Sequence, residues 1–151
     1  VIEYTLHFDG SCWPNPGGTA AYGFLLKREG LVVDSGHGVI GSGPLMSNNL
    51  AEFYALGTGL NAFRDQHCVG LDLTILKVYG DSDLVVKMMM RVQRTGEIKG
   101  DPSKLYFPAY EGAIQSLENI ARSGVDVDFK WIPREENQEC DDLSKAHNAT
   151  A

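Results

Sequence analysis

Apolar side chains alternate through Ile2, Tyr4, Leu6 and Phe8, the period of a strand with one face buried. Gly17-Gly18 turns the chain into a second apolar run, Ala20 to Leu26, and Arg28-Glu29-Gly30 makes a hairpin turn before a third, Leu31 to Ile40. Three short runs joined by turns predict an antiparallel meander. The period then changes. Leu50, Phe53, Tyr54, Leu60 and Phe63 recur at helical spacing, with Asn48 or Asn49 as the N-cap. A buried strand is expected over 71–79, ending at Gly80-Asp81, followed by a helix from Ser82 to Gln93. A glycine-bearing loop holds Gly96 to Pro102, a longer helix runs to about Arg122, and a strand covers Val125 to Ile132. Pro133 stops that strand and Asn137 opens a last helix. The order βββαβααβα, with no repeats or linker, predicts an α/β fold in which helices cover a mixed sheet.

Within the third run, Gly36-His37-Gly38-Val39-Ile40-Gly41 spells G-x-G-x-x-G. A dinucleotide-binding loop needs that motif to follow a strand and open a helix. Here it lies inside a strand-rich stretch and is followed by Gly43-Pro44, so a glycine-rich strand is the better account.

Composition narrows the field. At 151 residues the expectation is one domain spanning 1–151, and 43% hydrophobic with 22% charged residues is ordinary globular composition. No apolar stretch approaches the ~20 residues of a membrane span. The first residues lack a signal peptide's basic flank and cleavage site, so the expected location is cytoplasmic, with no membrane partner and no obligate protein partner evident. Cys12, Cys68 and Cys140 are odd in number and form no C-x-x-C pair, against a disulfide framework or a zinc site. Asn148-Ala149-Thr150 matches a glycosylation sequon by chance. A net charge of −7 argues against an indiscriminate nucleic-acid binder yet suits a site built from carboxylates around cations.

Four acids stand at element boundaries: Asp9 ends the first strand, Glu52 sits in the first turn of the first helix, Asp81 ends the fourth strand, and Asp141 lies one turn into the last helix. Each has a plain structural account. Asn49 and Glu52 fit a capping box, Asp81 an N-cap, and Asp141 the positive end of a helix. Their placement together says more. If the first and fourth strands are parallel neighbours, Asp9 and Asp81 converge beyond the strand ends, where open α/β sheets bind ligands. Clustered carboxylates repel unless a cation sits among them, and hard oxygen ligands suit magnesium or manganese.

Four stretches, in order, resemble the motifs of the type 1 ribonucleases H. DGSCWPNPGG is similar to D-G-S-x-x-x-N-P-G, SNNLAEFYAL to N-N-x-x-E-x-x-A, YGDSDLVV to an Asp-Ser pair before an apolar helix, and NQECDDLS to N-x-x-[AC]-D-x-L-[AS]. The resemblance covers almost the whole chain. It implies a ribonuclease H-like fold, with a mixed five-stranded sheet in the order 3-2-1-4-5 flanked by helices. It implies endonucleolytic hydrolysis of the RNA strand of RNA–DNA hybrids, leaving 5′-phosphate and 3′-hydroxyl ends. Carried over by motif, the catalytic metal ligands are Asp9, Glu52, Asp81 and Asp141, holding two magnesium ions, with manganese as the alternative. Two ions ~4 Å apart can activate water and stabilise the leaving 3′-oxygen. Gly10, Ser11 and Cys12 would let backbone approach the substrate, Asn15, Asn48 and Asn49 would meet the hybrid's minor-groove side, and Ser47 would meet a DNA phosphate.

Three departures stand out. The loop before the last motif reads Pro133-Arg134-Glu135-Glu136, without the histidine many bacterial members carry, and none of His7, His37, His67 or His147 fits that loop. The wording resembles the subgroup that lacks it. Asp83 replaces a common glutamine, placing a negative charge near the nucleic acid. The tryptophan-rich basic handle of some members is absent. Lys87, Arg91 and Arg94 share one helical face and are a partial substitute, or else a solvated face with no partner. Met88-Met89-Met90 is expected to pack in the core. Rivals remain: a hybrid-binding module without activity, or a related two-metal nuclease such as a 3′–5′ exonuclease or a junction resolvase.

Overall fold

In a computed structural model of the protein, residues 1–67 and 73–147 are described. The chain forms β1 (Ile2–Trp13), β2 (Thr19–Arg28), β3 (Leu31–Ser42), α1 (Asn48–Gln66), β4 (Thr74–Gly80), α2 (Asp83–Thr95), α3 (Phe107–Arg122), β5 (Asp126–Trp131) and α4 (Gln138–Ser144). A 3-10 turn at Arg134–Glu136, which no hydrophobic period announces, links β5 to α4. The strands make one mixed sheet in the order β3-β2-β1-β4-β5. β1 pairs antiparallel with β2 and parallel with β4, and β4 pairs parallel with β5. This is the architecture the hydrophobic periods and the motif resemblance led us to expect.

The two faces of the sheet follow from strand alternation. Tyr4, Leu6 and Phe8 of β1 and Phe24 and Leu26 of β2 enter the main core with Phe53, Leu56, Leu60 and Phe63 of α1. Val85, Val86 and Met89 of α2 and Tyr110, Ile114 and Leu117 of α3 complete that core. Phe53 is fully buried, with the rings of Tyr106 and Tyr110 at 5.3 and 5.2 Å. Truncating it would cost about 3–5 kcal/mol. The opposite face carries α4. It packs so close to β2 that a Cβ on Gly23 would lie 2.6 Å from Leu143 Cβ and 2.9 Å from the Cys140 carbonyl.

Several sequence expectations are corrected. The β1 ladder continues past Phe8 to the Trp13–Thr19 pair, because β2 supplies partners where the apolar alternation has stopped. β4 begins at Thr74, and residues 71 and 72 of the expected strand lie outside the described residues, as do Cys68 and the sequon at 148–150. Of the three methionines, Met89 is fully buried and Met88 packs on the core, but Met90 is 46% exposed, since helical geometry turns it to solvent. As expected, G-x-G-x-x-G lies wholly within β3 and forms no phosphate loop. Among the described residues, no helix is long and apolar enough to cross a membrane.

Candidate active site

Parallel pairing of β1 with β4 ends at His7 opposite Tyr79. The same register continued two residues brings Asp9, inside β1 rather than at its end as the apolar alternation suggested, level with Asp81, just past the end of β4. Glu52 arrives from α1. A Cβ on Gly10 would sit 2.2 Å from the Ala51 carbonyl carbon and 2.4 Å from the Glu52 nitrogen, so only glycine lets α1 press this closely on β1. Gly10's missing side chain therefore serves the packing of the helix. Carboxylate oxygens of Asp9, Glu52 and Asp81 lie within 4.8 Å of one another. Asp9 and Glu52 are only 4% and 7% exposed.

The capping roles considered for two of these acids belong to serines. Ser47, rather than Asn48 or Asn49, caps α1, its Oγ accepting from the Leu50 N–H at 3.1 Å. Glu52 then lies too far into the helix to close a capping box. Ser82 caps α2, accepting from the Val85 N–H at 3.3 Å, which leaves the Asp81 carboxylate unspent. Other elements hold Asp81 in place. Trp131 donates its indole N–H to the Asp81 carbonyl at 3.0 Å. The buried Asn137 amide reaches an Asp81 carboxylate oxygen at 3.4 Å and donates to the Phe8 carbonyl at 2.9 Å.

Electrostatics in the cluster follow from burial and crowding. Burial, then the charges of Asp81 and Asp141, push the Asp9 carboxyl up to about 7. Glu52 rises well above the usual carboxylate range, by burial first and then by Asp9. Burial also raises Asp81, against the hydrogen bond from Asn137 and the charge of Arg134. Asp141 behaves differently: burial would raise it, but hydrogen bonds from Lys145 and Asp9 and the charge of Arg134 bring it below the ordinary value. One oxygen, Glu52 Oε2, is buried with no hydrogen-bond partner. An orphaned carboxylate oxygen among mutually repelling acids fits a cation, and an all-oxygen donor set fits a hard divalent one.

The acids open into a cleft of about 810 Å³. Gly10, Ser11, Cys12, Asn48 and Asn49 line it along with Asp9, Glu52, Asp81 and Asp141. Asn15 and Ser47 do not: Asn15 accepts from the Asn48 N–H at 2.9 Å and so orients its neighbour, and Ser47 is occupied as the helix cap. Lys87, Arg91 and Arg94 stand outside the cleft, exposed on α2.

The model of the RNase H family matches residues 2–149. The chain belongs to the RNase H family. It is similar to RNase H1 from the halophilic archaeon Halobacterium salinarum at 25% identity, with a TM-score of 0.78 and 99% of each chain covered. It is similar, also at 25% identity, to the N-terminal RNase H domain of a Mycobacterium tuberculosis protein solved as a fusion with maltose-binding protein; the TM-score is 0.74 and each chain is fully covered. LC11-RNase H1, solved in complex with RNA/DNA hybrid, shares the fold at 22% identity and a TM-score of 0.77, with 98% of this chain and 99% of that one covered. Family and fold make this protein a ribonuclease H enzyme.

In this ribonuclease H, Lys145, Arg134 and His147 also reach the cleft, although the motifs did not single them out. Lys145 contacts Asp141 at 3.1 Å and Arg134 contacts it at 3.5 Å. Lys145 was findable, four residues beyond Asp141 on the same helical face. Arg134 carried no such signal, because the 3-10 turn that aims it is invisible to periodicity. The loop at Arg134–Glu136 holds no histidine, but His147 borders the cleft from beyond α4. Asp83, the charge that threatened substrate binding, is paired with Lys87 at 2.9 Å.

Proposed function

We propose that this protein hydrolyses the RNA strand of RNA–DNA hybrids internally, leaving 5′-phosphate and 3′-hydroxyl ends, and that residues 1–151 act as one catalytic domain. The observation that carries the reading is the convergence of Asp9, Glu52 and Asp81 within 4.8 Å, with a buried, unpartnered Glu52 oxygen among them. Asp9, Glu52, Asp81 and Asp141 would hold two divalent ions, magnesium first and manganese as the alternative. When bound, such a pair supplies activation of water and charge stabilisation at the leaving oxygen.

The chain's own residues do the rest. Asn137 and Trp131 fix Asp81 from its side chain and its backbone, so little reorganisation is needed when a cation arrives. Lys145 and Arg134 balance Asp141 in the free protein and stand at the rim as phosphate partners. The Asn48 side chain is anchored through its Oδ1, which accepts from the Cys12 N–H at 2.8 Å, so its amide N–H groups remain to meet a ribose 2′-hydroxyl or base edge. A neighbour of the same fold, LC11-RNase H1, was solved with an RNA/DNA hybrid, which supports the choice of substrate.

The test is an RNA–DNA hybrid, labelled in one strand at a time, incubated with magnesium or with a chelator beside RNA–RNA and DNA–DNA duplexes. Cleavage confined to the RNA strand of the hybrid and dependent on magnesium is expected. Cutting of a hybrid with circular RNA separates internal cleavage from an exonuclease, and hybrid binding without cleavage at any magnesium concentration would favour a non-catalytic module.

A further inference from the structure

Trp13 ends β1 at the mouth of the acidic cleft, paired with Thr19 on β2. Its side chain is 84% exposed and makes no hydrogen bond or ring contact among the described residues. The other tryptophan, Trp131, spends its N–H on the Asp81 carbonyl. A tryptophan carries a large apolar surface, and one that packs on neither core cluster contributes little to folding.

The backbone beneath it is nonetheless fixed on both sides. The Cys12 N–H donates to Asn48 Oδ1 at 2.8 Å, and the Asn48 N–H donates to Asn15 Oδ1 at 2.9 Å. Beyond the turn, the Gly17 N–H donates to the Met46 carbonyl at 2.9 Å. An exposed ring on an anchored backbone is a preorganised contact, because little ordering entropy is lost when something lands on it. The cleft behind it is acidic, so phosphates are repelled from its floor until cations arrive. A neutral, flat, apolar group at the rim attracts nucleic acid by a route that charge does not oppose.

We infer that Trp13 is a substrate-positioning residue, its indole packing against the sugar and base edges of the hybrid's minor groove beside the carboxylate cluster. The inference rests on the hybrid reading given under Proposed function. Every nucleotide offers an apolar sugar and base face, so the contact is sequence-neutral, as a ribonuclease without base readout requires.

The experiment compares the parent with Trp13→Ala and Trp13→Phe on a labelled hybrid over a salt series, measuring kcat and KM. In parallel, fluorescence anisotropy with the same hybrid in chelator gives a Kd independent of cleavage. Truncation to alanine is expected to raise KM and Kd roughly tenfold, and phenylalanine to restore most of the affinity. kcat should stay within about twofold, because the indole touches no reacting atom. The slope of log Kd against log salt should not change, since an apolar contact releases no counterions. Equal thermal melting of parent and variants excludes a folding effect. If the parent cuts hybrid and Trp13→Ala matches its KM and Kd, this inference fails alone; if the parent neither cuts nor binds hybrid, it fails together with the functional reading.

Discussion

Asn137 donates its side-chain amide to the main-chain oxygen of Phe8 at 2.9 Å, across 129 positions of sequence. The same amide reaches the Asp81 carboxylate at 3.4 Å, so one buried side chain ties the middle of β1 to an acid just past the end of β4. Asn137→Ala would leave the Phe8 carbonyl buried without its donor and Asp81 without a guide. We predict a loss of about 1–3 kcal/mol in stability. Magnesium-dependent activity should also fall roughly 10–100-fold, the usual cost of removing a group that orients a metal ligand. Urea denaturation and steady-state kinetics on the hybrid check both. Unchanged stability would show that another donor satisfies Phe8.

Asp9→Asn separates folding from chemistry. Removing one charge from a crowded, buried carboxylate set should leave the metal-free protein as stable as the parent or more so. Activity should drop at least about 100-fold, since a direct ligand matters no less than the groups that orient it. The check is melting temperature in chelator beside turnover in millimolar magnesium.

The raised carboxyls fix how metal-free stability depends on pH. Asp9 lies near 7 in the folded protein against 3.8 ordinarily, and Glu52 shifts in the same direction. Between those values the folded state binds more protons than the unfolded chain, so stability is greatest below the ordinary value and falls as pH rises to about 7. Asp141 has the opposite sign, but its contribution is lost only in more acidic solution. We therefore predict a melting temperature in chelator that declines from pH 5 to pH 8. Magnesium should restore more at pH 8, where protons no longer compete for the ligands. A flat profile in chelator would place the acids further apart than described.

The exposed basic face of α2 is expected to act through the hybrid's backbone. Because Lys87 is already paired with Asp83, Arg91 and Arg94 should carry most of the effect. Replacing all three with glutamine should raise KM and reduce the salt slope by up to about 0.9 for each phosphate no longer neutralised, with kcat little changed. Asp83→Asn should move KM the other way. An unaltered salt slope would make the helix face merely solvated.

The sheet was legible because its parts are local. Ile2 to Phe8 alternate, Leu50 to Phe63 do not, and Gly80-Asp81 marks where a strand must stop. Asp9, Glu52, Asp81 and Asp141 could be selected because each stands within a recognisable motif, although Asp9 lies inside β1 and not at the strand end expected of it. What could not be read depends on chain segments far apart. Nothing near Gly10 says that Ala51 will lie against it, and nothing near Asn137 names Phe8. The choice among Ser47, Asn48 and Asn49 for the cap turns on a single dihedral transition, which three adjacent capping residues leave undecided. His147 reaches the cleft only because α4 ends where it does.

The most direct test of the central claim sets the parent beside Glu52→Gln on an RNA–DNA hybrid with the RNA strand labelled, followed over time in magnesium. Glu52 supplies the buried, unpartnered oxygen on which the cation reading rests, and the amide keeps its size while removing its charge. The account predicts short RNA fragments from the parent, none in chelator, and cleavage at least about 100-fold slower from the variant. Parent-like cleavage by Glu52→Gln, or parent cleavage that persists in chelator, would contradict it.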